Sequence, residues 1–540
     1  MSGSSTRRTI TALSLVLLPL PACDSGSAGE STVLPHSRAE QPSPARTTPT
    51  PADLGTFVRD RARDLAATEY SPPAATLPPD LAALDYEAYR SIRFREEASL
   101  WRGKAPFEVQ LFHPGFLYDE PVRIHVVEGD SVSELPFDRS RFTYEGPAGA
   151  LSETAASAGV GYSGFRVHFP LNEPGRMDEV AVFQGASYFR LVGPGHVYGL
   201  SSRGLAVNVA TDGEEEFPDF REFWLTRPGA GDDRLVIHAL LDSPSLTGAY
   251  RFLLRPDDVT EVDVEAHLFA RTDVQKLGVA PLSSMFLFDP GLAHAFDDFR
   301  SRVHDSDGLM MLTRRGEWIW RPLGNLRGLR VTSLMDEDPR GFGLTQRARA
   351  FEQYLDLEAQ YHRRPSEWVQ MAEGDWGRGR VELLEIPTES EFNDNIAAYW
   401  VPDEPFLAGQ EKRFSYMLRT FDSRLQEQTL AQVRTSRDGW DALPGEAAPP
   451  PRSQRRFVVD FEEAPSGLDP GAPVEASLET SAGEVWDVAV TPLPDEGEWR
   501  VTFRLRPDGD RPADMRLFLH QAGRPVSETW SYVWYPEQVR

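Results

Sequence analysis

Three stretches of this 540-residue chain place carboxylates and aromatic rings together in polar, glycine-bounded sequence. They are Val303-His304-Asp305-Ser306-Asp307-Gly308, then Gly374-Asp375-Trp376-Gly377-Arg378-Gly379, and Glu389-Ser390-Glu391-Phe392-Asn393-Asp394-Asn395-Ile396-Ala397-Ala398-Tyr399-Trp400. Cleavage of a glycosidic bond calls for such residues. One carboxyl group must protonate the leaving oxygen and a second must activate water, while aromatic faces hold the apolar sides of sugar rings. Acidic loops are also how an acidic protein solvates its surface. With 83 Asp and Glu against 56 Lys and Arg, and a formal charge of −27, composition leaves both readings open.

Other chemistries fail on spacing. Gly161-Tyr162-Ser163-Gly164 lacks the frame of a nucleophile elbow, and the stretch from Gly193 to Gly199 misses the dinucleotide fingerprint by one residue, so both read as turns. Cys23 is the one cysteine, which removes thiol catalysis, Cys-ligated metal and internal disulfides from the folded part. None of the eleven histidines stands three or four residues from another. Asp305-Ser306-Asp307-Gly308 resembles a piece of a calcium loop, but its glycine comes too early and no glutamate closes the frame. No metal and no cofactor are expected. Nucleic acid is excluded as a partner by the charge, because that affinity rests on cations neutralising phosphates. Lysine occurs only at Lys104, Lys276 and Lys412, so an arginine cluster here reflects general arginine use as much as anion recognition.

The elements that would position these residues are mostly strands. Phe57, Val58, Ala62, Leu65 and Ala66 recur at helical spacing and predict one amphipathic helix over 56–69, stopped before Pro72-Pro73. Beyond it the period is two. Val122, Ile124 and Val126 alternate with polar residues, as do Val262 to Leu268, Trp486 to Val490, Val501 to Leu505 and Met515 to Leu519. Many short strands broken by Gly and Pro turns, with no internal repeat of fixed period, predict an all-β protein. It would comprise a large β-sandwich domain over 56–421 with long functional loops, a linker over 422–455, and an immunoglobulin-like sandwich over 456–540 that no disulfide can staple.

The N-terminus reads as an address. Arg7-Arg8 precede the apolar run Ile10 to Leu20, which is short of the roughly 20 residues a spanning helix needs. Residues 1–22 are therefore an expected export signal, with the arginine pair leaving a twin-arginine route open. Leu20-Pro21-Ala22-Cys23 resembles a bacterial lipobox, which makes Cys23 the expected lipidation site, although Cys23 would be incidental in an ordinary cleaved signal. Asp24 leans toward retention at the inner membrane. Residues 23–55, rich in Ser, Pro and Thr, read as a disordered tether.

A resemblance then becomes visible in order along the chain. Gly185 to Arg190, Val197 to Ala206, Leu241-Asp242-Ser243-Pro244, Thr247 to Tyr250, Lys276 to Leu282, Ser284 to Phe288, His304-Asp305-Ser306, Gly316 to Leu323, Arg364-Pro365-Ser366 and Asn393 to Ile396 closely resemble the glucans biosynthesis protein G/D family. The likeness is dense over 56–421 and looser up to Glu528-Thr529-Trp530-Ser531-Tyr532. It implies a periplasmic protein that makes osmoregulated glucans with a β-1,2-linked backbone, with a large sandwich domain holding a cleft. It also implies an inverting endo-acting glycoside hydrolase, with transglycosylation in some relatives.

Residue by residue, Asp394 matches the family's general acid, and Asp305 matches the base end of a water-mediated relay. Tyr361 and Glu391 match positions near the acid. Burial among Phe392, Ile396, Tyr399 and Trp400 is the expected way of keeping Asp394 protonated. Tyr188, Tyr198, Arg203 and Trp376 are further candidates for binding sugar, each equally at home in packing or a scaffold ion pair. Trp318 and Trp320 alternate as in a strand, so at least one belongs to the core. Three functions compete: endo-β-1,2-glucanase, transglycosylase, and a non-catalytic glucan-binding scaffold that docks a membrane glucan synthase through its C-terminal domain.

Overall fold

The computed structural model describes residues 49–538 apart from 74–76, 152–160, 373–375, 463–467, 470 and 495–496. The export signal, Cys23, most of the tether and Asp375 lie outside the described residues.

Alternation in the sequence becomes a two-sheet core. In the strand Thr260–Ala270, Val262, Val264, Ala266 and Leu268 are buried, while the residues between them are partly exposed. This strand pairs with Leu246–Pro256 on one side and Glu411–Phe421 on the other, near the middle of a fifteen-stranded sheet. A ten-stranded sheet faces it, running through Glu108–Phe112, Gly164–Phe169, Asp178–Gln184, Tyr188–Leu191, Ser201–Arg203, Leu277–Ser284, Ile396–Pro402, Arg378–Glu385 and Arg330–Glu337. Rings interlock between the sheets: Phe183 meets Phe252 at 5.3 Å and Phe165 meets Phe223 edge-on at 5.0 Å. Such pairs add about 0.5–1.5 kcal/mol beyond the area they bury. The chain is thus all-β in its main body.

The expected helix forms over Leu54–Ala66. Leu54, Val58 and Ala62 recur every four residues and pack on Trp224, Leu240, Ala249 and Phe269 of the large sheet. Burying the Leu and Val side chains contributes about 1.5–3 kcal/mol each. Thr247 ties the helix down by donating its hydroxyl to the Ala62 carbonyl at 2.6 Å. Two short helices not read from the sequence, Pro79–Ala82 and Tyr86–Arg90, follow it. No described helix is long and apolar enough to cross a membrane.

The C-terminal part is a sandwich whose two layers differ in their attachments. One is a separate four-stranded sheet; the strands Val474–Thr480, Ala513–Gln521 and Thr529–Trp534 instead extend the fifteen-stranded sheet, where Trp320 pairs with Trp530. Its core runs on into the large domain through Met310, Trp318, Trp320 and Trp368, so both Trp318 and Trp320 are packing residues. The stretch read as linker is shorter than 422–455. Gln432–Trp440 pairs along Arg455–Glu462 and supplies a strand of the four-stranded sheet. Its charged and glycine residues hid the alternation. Arg347 and the fully buried Glu528 lock the two parts together through bonds of 2.6 and 2.9 Å.

Candidate active site

Both carboxylates singled out by the sequence are anchored to one three-residue strand, Phe286–Phe288. On one side it pairs with Val303–His304, and the Asp305 N–H donates to the Met285 carbonyl at 2.8 Å. The Asn395 side chain grips the same strand. Its oxygen accepts from the Phe286 N–H at 2.8 Å, and its amide donates to the carbonyls of Phe286 at 3.0 Å and Ile386 at 2.9 Å. Asn395 follows Asp394 directly, so one buried amide fixes the Asp394 backbone against the frame that holds Asp305. An amide is required there, because the site must both accept and donate.

Asp394 is half-buried and faces a small pocket, partly open to solvent, together with Tyr188, Arg203, Glu215, Phe217, Ile396 and Tyr399. No hydrogen bond or ion pair engages its carboxyl group among the described residues, which leaves both oxygens available to a ligand. The apolar surround expected for it is only partly built. Ile396 and Tyr399 line the pocket, but Phe392 is 43 % exposed, and Trp400 is turned into the main core against Trp376.

Asp305 is enclosed, with 3 % exposure, and pairs with the Arg364 guanidinium. Burial pushes its carboxyl up from the usual carboxylate range, Arg364 opposes this, and the nearby charge of Asp394 adds to the rise. Arg364 lies over the Tyr361 ring at 4.2 Å. It fits because position 199 is glycine: a Cβ there would stand 2.7 Å from the Arg364 Cβ. The Tyr361 hydroxyl donates to Glu391 at 2.7 Å and is held protonated chiefly by burial. Glu391 is paired in turn with Arg300 at 2.9 Å, and Arg300 also binds Asp298 and Asp356. Beneath them Gln346 accepts from the His304 ring at 2.8 Å and donates to the His304 carbonyl at 3.0 Å. That ring is neutral, its basicity lowered to about 3 by burial.

Across the pocket, Tyr188 and Arg203 face each other on neighbouring strands, with the guanidinium 4.5 Å from the ring centre. Arg203 donates to Ser283 at 2.8 Å and Glu215 at 3.1 Å. Burial pushes the Tyr188 hydroxyl up to about 12 and raises Glu215 as well. The structure thus gathers Asp394, Tyr188 and Arg203 at the pocket, and links Asp305 to Tyr361 and Glu391 through Arg364.

Two candidates stand apart. The Tyr198 hydroxyl is spent on Glu179 at 2.8 Å, a carboxylate also held by Arg166 at 3.0 Å. Trp376 is 3 % exposed, packs on Trp400, Phe414 and Tyr416, and donates its ring N–H to the Ser415 carbonyl. It is a core residue rather than a sugar platform: it lies in the bend just before the strand Arg378–Glu385, with its ring packed inward on that aromatic cluster. Residue-level reasoning missed Arg190, Arg364, Asn395 and Glu215. The first three sit in the segments that carry the family resemblance, while Glu215 lies in the acid run Glu214-Glu215-Glu216, which reads as surface. Arg190 donates to Ser201 at 2.7 Å, and its charge reaches both Asp305 and Tyr188. No group of three or more His, Cys, Asp or Glu among the described residues is arranged to hold a metal ion.

Comparison with known proteins agrees over nearly the whole chain. Residues 55–534 match the family described as "Periplasmic glucan biosynthesis protein, MdoG". The chain is 45% identical over 475 residues to "Glucans biosynthesis protein G" of Shewanella frigidimarina, covering 88% of this chain and 83% of that one. It is 46% identical over 486 residues to the protein so named from Ralstonia nicotianae, covering 89% and 95%. A Vibrio cholerae protein of that name is 44% identical over 491 residues, covering 89% and 88%.

Proposed function

The chain belongs to the periplasmic glucan biosynthesis protein family, and on that premise we propose that it is an inverting endo-β-1,2-glucanase that trims or remodels periplasmic glucan. The observation that carries this reading is the unequal treatment of two carboxyl groups on one frame. Asp305 is buried and ion-paired with Arg364, whereas Asp394 faces the pocket with no hydrogen bond or ion pair to its carboxyl among the described residues. That division suits a base and an acid.

In the reaction, Asp394 gives its proton to the glycosidic oxygen as the bond from that oxygen to the anomeric carbon breaks. A water attacks the anomeric carbon from the opposite face and passes its proton, through intervening water or sugar hydroxyls, to the Asp305 carboxylate. One bond to carbon is lost and one is gained, and the new reducing end has the inverted configuration. Two protons then exchange with solvent to restore the starting state. Inverting enzymes ordinarily hold their carboxyls about 6.5–9.5 Å apart so that water fits between, and a relay accommodates a wider gap. Arg364 opposes the burial that pushes the Asp305 carboxyl toward its protonated form, and Tyr188 lines the pocket beside the acid.

The experiment incubates the protein from residue 24 onward with linear β-1,2-glucan, beside β-1,3-, β-1,4- and β-1,6-linked controls. Reducing ends, product masses and the initial anomer are followed for the unaltered protein and for Asp394→Asn. A general acid is worth about 10²–10⁴ in rate. Reducing ends should rise on the β-1,2 polymer alone and fall by at least that factor in the variant, with binding retained. Rings or new linkages without new reducing ends would replace hydrolysis by transglycosylation, and binding without turnover would leave only a scaffold.

A further inference from the structure

We propose that the pocket at the junction of the large domain and the C-terminal sandwich, walled by Arg302 and Arg347 from the first and by Arg434 and Arg437 from the second, binds a phosphate-type oxyanion. It shares no lining residue with the Asp394 pocket and stands independently of the catalytic reading. Its cavity of about 80 Å³ has room for several waters, and so for one tetrahedral oxyanion.

Charge identifies the class of ligand. In a chain with 83 acidic against 56 basic residues, this lining reverses the balance, setting four guanidinium groups against two carboxylates, Asp289 and Asp307. Both carboxylates are committed to the backbone. Asp289 accepts from the N–H groups of Gly291 at 2.9 Å and Leu292 at 3.2 Å. Both oxygens of Asp307 accept from the Arg347 N–H, at 3.2 and 3.1 Å, and one also accepts from the Ala348 N–H at 3.3 Å. The cations are less fully used. Arg302 is half-buried, and no hydrogen bond or ion pair engages its guanidinium among the described residues. Arg437 donates to Thr435 at 2.9 Å and stands 3.5 Å from Asp460, a carboxylate that Arg500 already holds at 2.7 and 2.9 Å. Arg347 and Arg434 are fixed as walls by Glu528 and Glu498. That leaves Arg302 and Arg437, one from each side of the junction, with N–H groups to spare, and the guanidinium fork matches the oxygens of a phosphate. A sugar finds no platform here, because Trp320 is 4 % exposed and Arg347 lies 3.5 Å over its ring.

The pocket also sits at the end of the strand pair that frames Asp305. Phe288 pairs with Val303; the chain leaves that pair through Asp289 and enters it from Arg302, and both line the pocket. Arg347 already ties the frame side to the strand Gln432–Trp440 by donating to the Val433 carbonyl at 2.9 Å. An oxyanion held by Arg302 and Arg437 adds a second bridge between the same two bodies, so its binding stabilises the folded chain by mass action.

The test titrates inorganic phosphate into the protein from residue 24 onward, with sodium chloride adjusted to hold the ionic strength, and follows binding by calorimetry together with the melting temperature. Phosphate should bind saturably and raise the melting temperature, where chloride does neither. Arg302→Gln and, separately, Arg437→Gln should each weaken binding by at least about tenfold, the worth of one hydrogen bond to a charged group. Arg315→Gln, at an exposed arginine outside the pocket, should leave it unchanged. Without phosphate, Arg302→Gln should melt with the unaltered protein; if it does not, Arg437→Gln carries the test. Flotation with vesicles containing phosphatidic acid separates the sources of the anion: phosphate binding without flotation gives a soluble ligand, and flotation that free phosphate competes away gives a lipid headgroup. Absence of saturable binding, full affinity in a folded pocket variant, or an equal loss in Arg315→Gln would overturn the proposal.

Discussion

Replacing Asn395 by alanine tests whether one buried amide aims the acid. Three hydrogen bonds vanish, and the Phe286 N–H, the Phe286 carbonyl and the Ile386 carbonyl lose their side-chain partner inside a closed part of the fold. A buried polar group left without a partner costs about 1–3 kcal/mol, so the whole change should cost about 3–5 kcal/mol after some relaxation. Unfolding entropy of about 2.1 cal/mol/K per residue amounts to roughly 1 kcal/mol/K for a chain of this size. A unit melting as a whole should therefore lose about 3–5 °C. The kinetic effect should be larger. A displacement of about 1 Å at a reacting group costs on the order of 10²-fold, so kcat on β-1,2-glucan should fall by about that factor while KM stays within about threefold. Asn395→Asp keeps the acceptor but sets a carboxylate against two carbonyl oxygens, and should do no better than alanine. Steady-state kinetics and thermal melts of both variants decide it. A variant with a lowered melting point and an unchanged kcat would refute the reasoning, because Asn395 would then stabilise the strand without aiming Asp394.

Glu367 lies fully buried, and burial lifts its carboxyl to about 8 against the opposing Ser202 hydroxyl bond of 2.6 Å. Its folded value is above its unfolded one, so the stability it contributes is fully present below about pH 4.5 and is lost as the pH rises through 8. Glu367→Gln should therefore melt higher relative to the unaltered protein at pH 8 than at pH 5, by a margin worth a few kcal/mol; an equal margin at both pH values would contradict the assignment. Trp376→Ala should cost about 3–5 kcal/mol in denaturant titration and leave KM for glucan within about twofold, the reverse of what loss of a sugar platform would give. Cys23→Ser should release the protein from the membrane fraction into the soluble periplasm, as read by fractionation and by the mass of the mature N-terminus, if the lipobox-like segment is used.

The repeating patterns carried most of the fold. Val262, Val264, Ala266 and Leu268 point inward as their alternation requires, and the helix at Leu54–Ala66 buries every fourth residue. What period two could not give is partnership. Nothing in Gln432–Trp440, with its Arg, Asp and Gly, announces a strand, because its pattern is set by a neighbour 20 or so residues on rather than by its own apolar residues. The two acids were legible as carboxylates in suggestive company, and the resemblance assigned their roles. The frame around them was not legible. Asn395 looks like one more polar loop residue, and Arg364 like one of many arginines, until Phe286 and Asp305 are brought beside them. Trp376 failed the other way: a Trp between glycines suggests a binding loop, yet the next strand carries it into the core.

Arginine supply explains how a chain of charge −27 can keep several carboxylates around one cleft. Asp305 has Arg364, Glu391 has Arg300 and Glu215 has Arg203, each pair at least partly withdrawn from solvent. Guanidinium suits this use because it stays charged and binds two oxygens in a plane. In low dielectric an unpaired charge is expensive, so every paired carboxylate becomes a fixed part of the wall. Asp394 lacks such a partner among the described residues. The half-open pocket lets water solvate it when empty, and a sugar oxygen replaces that water when the pocket fills. Asp394 thus presents its carboxyl to a space a ligand can enter, and the arginines around it act by occupying the neighbouring carboxylates.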